Sequence, residues 1–121
     1  MKKILFVLRK PPHSGAYTQE MLDIIMTAAA FDQEVSVLLL DNAVFHLKDQ
    51  QQPEAFGLKN TLAIFKALPL YEIPTIFVET ESIQERGLSV DDLDAVVQKI
   101  PRKNVGEFFN QLKFDGIIRR G

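Results

Sequence analysis

The chain has 121 residues, 46% of them apolar, and 14 Lys and Arg against 16 Asp and Glu give it a formal net charge of −2. That length suits one domain, 1–121, and that apolar fraction supports a sizeable buried core rather than a disordered chain. The charges are interleaved, with no basic face to neutralise a row of phosphates, which argues against direct nucleic-acid binding; the absence of cysteine excludes disulfides, thiolate metal sites and a persulfide on this chain.

Taken from the N-terminus, Met1-Lys2-Lys3-Ile4-Leu5-Phe6-Val7-Leu8 has an apolar run too short for a secretory signal. Arg9, Lys10 and two prolines follow it at once, with no small-residue cleavage site. It predicts a first strand at a cytoplasmic N-terminus, and no membrane association is expected. Ile4 to Leu8 and Val35 to Leu40 are continuous apolar runs, the pattern of strands covered on both faces. Between them Tyr17, Met21, Ile24, Ile25 and Ala28 fall on one helical stripe that opens near a cap at Ser14 or Thr18. Lys48 to Pro53 is polar and reads as a surface loop. Leu58, Leu62 and Phe65 then recur at helical spacing up to a stop at Pro69, and Ile73-Pro74 leads into a third strand, Thr75 to Val78.

The stretch Asp91 to Ile100 reads two ways. Val90, Leu93, Val97 and Ile100 make a helical stripe, whereas Ala95-Val96-Val97 before Pro101 suits a short strand; the strand is preferred and brings the sheet to five. Asn104 is placed to cap a helix whose Val105, Phe108, Phe109 and Leu112 share a face, and Asp115-Gly116 introduces Ile117-Ile118 as the last strand. Strands alternating with helices across short links imply a three-layer α/β/α sandwich on a mainly parallel, about five-stranded sheet with right-handed crossovers. In such sheets functional loops lie beyond the carboxyl ends of the strands. Here those are Arg9 to Ala16, Asp41 to Leu47 and Glu79 to Gly87.

These loops hold few groups suited to chemistry. His13 between Pro12 and Ser14 has no evident acid partner and reads as structural or solvent-exposed. Pro11, Pro12, Ser14 and Gly15 precede a helix, but they lack both the glycine-rich phosphate fingerprint and the P-loop lysine. No catalytic, cofactor-binding or metal-binding set is assigned, and no cofactor is expected. Val44, Phe45 and Leu47 either cap the domain's own core or form a subunit interface with His46 at its rim. Phe65 and Leu68 read as core, while Leu70 and Tyr71 are candidate partner contacts, Tyr71 being the preferred exposed anchor. Arg86-Gly87 closes the helix after Ser82, with Gly87 left-handed and Arg86 favourable at the negative helix end.

Four strings, in order, have a common likeness: Phe6-Val7-Leu8-Arg9-Lys10-Pro11-Pro12-His13-Ser14, Asp41-Asn42-Ala43-Val44-Phe45-His46-Leu47, Phe65-Lys66-Ala67-Leu68-Pro69-Leu70-Tyr71-Glu72-Ile73 and Ser82-Ile83-Gln84-Glu85-Arg86-Gly87-Leu88. Together they resemble the TusC/DsrF family across almost the whole chain. The resemblance implies a DsrE/DsrF-like fold, flavodoxin-like in appearance, and a non-catalytic subunit of a TusBCD-like complex. That complex is a dimer of heterotrimers with TusB-like and TusD-like subunits. It relays persulfide sulfur from a TusA-like donor through a TusE-like carrier towards 2-thiolation of the tRNA wobble uridine. Similar DsrEFH proteins serve dissimilatory sulfur oxidation, which is the other pathway the resemblance allows.

In that family the TusD/DsrE-like partner holds its transferring cysteine near the end of the strand matching Thr75 to Val78. The nearest positions here are Val78, Glu79 and Thr80, with Glu79 taken as the equivalent place. Persulfide transfer needs a thiolate, which no hydroxyl or carboxylate replaces. Glu79 and Glu81 would also raise the pKa of a neighbouring thiol. A reading from another class is an autonomous enzyme or small-ligand module of flavodoxin-like architecture that uses the His13 loop.

Overall fold

A computed structural model of the chain describes residues 2–11, 16–31, 33–48, 61–73, 75–93, 97–111 and 113–119. Its elements in order are β1 (Lys3–Leu8), α1 (Ala16–Ala30), β2 (Glu34–Leu39), a 3-10 turn over Asp41–Leu47, α2 (Thr61–Ala67), a 3-10 turn over Leu68–Tyr71, β3 (Ile76–Glu79), α3 (Thr80–Glu85), a 3-10 turn over Val90–Asp92, β4 (Val97–Ile100), a 3-10 turn over Arg102–Asn104, α4 (Val105–Gln111) and β5 (Gly116–Ile118). The strands join in one sheet of order β4-β3-β2-β1-β5, and each ladder is parallel.

Register decides what each face buries. Phe6 pairs with Val37, and Val37 with Ile76, so these side chains share one face of the pleat with Leu8, Leu39 and Val78. Met21, Leu22 and Ile25 of α1, Phe65 of α2 and Ile83 of α3 cover that face. Leu5, Val7 and Leu38 point the other way and meet Phe108 of α4; the Phe77 and Phe108 rings lie 4.7 Å apart. Helices on both faces give the three-layer α/β/α arrangement, and both faces must be covered because the central strands β1 and β2 are near-continuous apolar runs. The last strand is fastened by a reciprocal pair, the Asp115 N–H donating to the Lys3 carbonyl at 2.7 Å and the Lys3 N–H to Asp115 Oδ2 at 2.7 Å. Among the described residues no helix is long and apolar enough to cross a membrane.

Several local expectations change. Ile24 is not on the buried stripe of α1: it is 42% exposed, and Leu22 takes that place beside Met21 and Ile25. The contact face is centred near Ile25 rather than on the middle of the stripe, which brings Leu22 in and leaves Ile24 at the solvent edge. The second helix ends at Ala67, just ahead of Pro69, as the sequence indicated. The chain tightens there into a 3-10 turn with Pro69 at its start, a place where the missing N–H has no partner to lose, and it stops at Glu72 with a left-handed φ of 64°. The stretch Asp91 to Ile100 contains a strand, as preferred, described over Val97–Ile100; Ala95 and Val96 lie outside the described residues. His13, Ser14, Leu58 and Leu112 lie outside the described residues.

Candidate functional site

The carboxyl edge of the sheet gathers the polar side chains. Phe77 and Glu79 alternate with Ile76 and Val78 along β3, which turns Glu79 inward at the strand's last position, where it is 5% exposed. A carboxylate so placed must be bonded, because leaving it desolvated and unpaired is costly. Glu79 Oε1 accepts from Ser82 Oγ at 2.6 Å, from Arg102 Nε at 3.1 Å and from Arg102 Nη2 at 2.9 Å. Ser82 lies one helical turn further, on α3, and is fully buried. Its hydroxyl donates to Glu79 and accepts the Asp41 N–H at 2.8 Å, so both its proton and a lone pair are engaged.

Arg102 follows Pro101 directly after β4, the strand beside β3, so its side chain reaches across the strand ends. Its backbone N–H lies 3.1 Å from each Glu81 carboxylate oxygen. The outer end of the guanidinium is taken by Glu85, with Nη2 to Oε1 at 2.7 Å and Nη1 to Oε2 at 3.0 Å. The hydrogen bond from Arg102 holds the Glu85 carboxyl below its ordinary value of 4.5, its Coulombic attraction and that of Arg86 adding to this while desolvation opposes it. Hydrogen bonds to Glu85 first and Glu79 second push the Arg102 pKa upward in return.

The neighbouring loops lock to the same edge. Arg86 Nε donates to Asn42 Oδ1 at 2.7 Å and Nη1 to the Ser82 carbonyl at 3.2 Å. That contact, with Gly87 at a φ of 68°, closes α3 as the sequence indicated. Arg9 Nη1 meets Asp41 Oδ2 at 2.8 Å. His46 Nε2 lies 3.0 Å from the Lys10 carbonyl; a carbonyl only accepts, so Nε2 holds the proton in that bond. Chemically the arrangement is a closed set of donors and acceptors around a buried carboxylate. Its one hydroxyl is sealed from solvent.

The candidate interface residues are separated by the fold. Val44, His46 and Leu47 are fully buried; Val44 and Leu47 belong to the core that also holds Phe65, and the His46 ring lies 5.2 Å from that of Phe65. His46 is therefore an interior residue and not a rim residue, because the 3-10 turn folds its apolar side back under α2 and α3. Phe45 is half-buried. Leu70 and Tyr71 are 85% and 41% exposed in the turn that enters β3, at the opposite, amino end of the sheet. Glu79 stands at the strand end where the sequence put it, but its partners Ser82, Arg102, Glu85 and Asp41 were not singled out as a set. One signal was available: a glutamate ending a buried strand needs a cation, and Arg102 follows the adjacent strand.

The model of the DsrE/DsrF-like family matches residues 2–113. The chain is 34% identical over 125 residues, covering 92% of both sequences, to a protein named intracellular sulfur oxidation protein DsrF from Allochromatium vinosum. The crystal structure of the ychN protein from E. coli superposes with a TM-score of 0.79 at 18% identity, over 98% of this chain and 99% of that one, and shares its fold. A family match over nearly the full length and a relative of that identity establish that the chain belongs to the DsrE/DsrF-like family.

Proposed function

We propose that the chain is a thiol-free, non-catalytic subunit of a heteromeric sulfur-relay assembly in which a partner supplies the sulfur-bearing cysteine. The observation behind this is Glu79. We take it as the place nearest the family's transferring cysteine, and it is buried and fixed by Ser82 and Arg102. In persulfide transfer an acceptor thiolate attacks the terminal sulfur of the donor persulfide. The S–S bond breaks and the donor thiolate leaves, so no outside oxidant or reductant is needed. A carboxylate cannot take either part. The chain's task is then to shape and stabilise the partners, with exposed Leu70 and Tyr71 as contacts and Phe45 as a lesser one.

In the fuller reading the assembly is TusBCD-like: a cytoplasmic dimer of heterotrimers with TusB-like and TusD-like subunits that passes sulfur from a TusA-like donor towards tRNA 2-thiolation. The name of the Allochromatium vinosum relative supports a second destination, intracellular sulfur oxidation by a DsrEFH-type assembly. Co-expression with the two partner chains followed by sizing tests the subunit reading. A stable heteromer is expected, and a chain that stays monomeric beside both partners refutes it. Deleting the gene separates the destinations: loss of 2-thiouridine from tRNA marks the first, and loss of sulfide-dependent sulfur consumption with intact tRNA marks the second.

A further inference from the structure

We infer that the outer face of the Arg102 guanidinium is a docking point for a carboxylate side chain on an acidic surface of a partner subunit, and that Glu85 holds this place until the partner arrives. The inference rests on the heteromeric reading above and names the chemistry of one contact in it.

The two ends of Arg102 differ. The inner edge, Nε and Nη2, is anchored on Glu79, which is 7% exposed as a side chain and is itself oriented by Ser82. This fixes the guanidinium plane. The outer edge, Nη1 and Nη2, presents two parallel donors, the fork geometry that suits a carboxylate. Glu85 takes that fork now, through both oxygens, and so displays the ligand class the edge accepts. Both residues are open to solvent there, Arg102 at 46% and Glu85 at 52% of their side chains. An exposed ion pair of this kind contributes little and exchanges easily. Glu85 also has a second cation within reach, since Arg86 Nη1 lies 3.7 Å from Glu85 Oε1. A displaced Glu85 is therefore not left unpaired.

Beyond Glu79, Glu81 and Glu85, which already contact Arg102, the surroundings offer an acidic partner two further cations. Lys99 on the edge strand β4, Arg102 and Lys103 are all exposed, three cations within five residues of a chain with a net charge of −2. An open depression of about 280 Å³ adjoins them, lined by Lys99, Pro101, Asn104 and Phe108, with Glu107 as its one acidic residue. Partner association through such a patch is faster and tighter at low ionic strength.

The decisive variant is Glu85→Gln, which removes the internal competitor and keeps its shape. Measured by calorimetry on the assembly of the full chain with its partner subunits at 50 mM and 300 mM salt, it should bind about two- to five-fold tighter, the weight of an exposed ion pair. Arg102→Lys keeps a charge but loses the fork, and should bind about tenfold weaker or worse. A purely structural role for the pair predicts the opposite sign for Glu85→Gln, so unchanged or weaker assembly of that variant overturns the inference even if Arg102→Lys fails to fold. Acetate titrated into the isolated chain tests the site without any partner. The Arg102 Nε–H resonance should shift saturably in Glu85→Gln at several-fold lower acetate than in the parent chain, and the absence of a saturable shift also overturns it. Failure to assemble at all with saturable acetate binding retained counts against the heteromeric reading instead.

Discussion

Glu79→Ala removes the buried carboxylate around which the strand ends are organised. Ser82 keeps the Asp41 N–H but its own proton loses the 2.6 Å acceptor, and a buried hydroxyl left unpaired costs about 1–3 kcal/mol. Arg102 is half-exposed and retains Glu85, so water and that partner absorb most of its loss. Relief from burying a charge offsets part of the cost. The net expectation is a destabilisation of about 2 kcal/mol, or roughly 8 °C in Tm for a chain of this size. Urea unfolding followed by circular dichroism measures it directly, with an unchanged m-value showing that the unfolded state is the same. Glu85→Ala is the control: it breaks the other half of the same arginine's contacts, but in solvent, and should leave Tm within about 2 °C. A Glu79→Ala loss below about 0.5 kcal/mol, or equal losses in both variants, would show that burial is not what makes Glu79 matter.

Phe65→Ala empties a fully buried position beside His46 and should cost about 3–5 kcal/mol in the same unfolding assay. Gly87→Ala should cost about 1 kcal/mol through backbone strain alone, since φ is 68° and an added Cβ meets nothing within 4 Å. Leu70→Ala and Tyr71→Ala should leave the isolated chain's stability unchanged and weaken heteromer assembly, by roughly 2 kcal/mol for Tyr71 if it is an interface anchor; sizing with the partners decides this. The Glu85 carboxyl should titrate below 4.5 by NMR and move back up in Arg102→Gln. Because its folded pKa is depressed, whatever stability it gives is complete above the unfolded value and is lost as pH falls through the folded one.

Much of the scaffold was readable from period alone. Ile4 to Leu8, Val35 to Leu40 and Thr75 to Val78 are apolar runs too short for helices and too continuous for half-exposed strands, and they became β1, β2 and β3. Gly87 followed a helix that needed a left-handed stop. Misreadings arose where one local pattern served two environments. Ile24 obeys the helical period yet faces solvent, because a stripe has a width that only the packed neighbours define. Val44, His46 and Leu47 form an apolar string after a strand end, which fits an interface as well as a core. The choice fell to the core once α2 and α3 were in place to receive them.

The sequence by itself determined the alternating architecture, the family and the absence of a thiol, since each depends on residue identity and near-neighbour spacing. Only the tertiary structure decided what surrounds Glu79. Arg102 meets Glu79 across 23 positions, Ser82 meets Asp41 across 41, and Arg86 meets Asn42 across 44. No local period encodes such pairs. They exist because parallel pairing sets the ends of β2, β3 and β4 side by side, and because a buried carboxylate there requires the donors that those neighbouring loops provide.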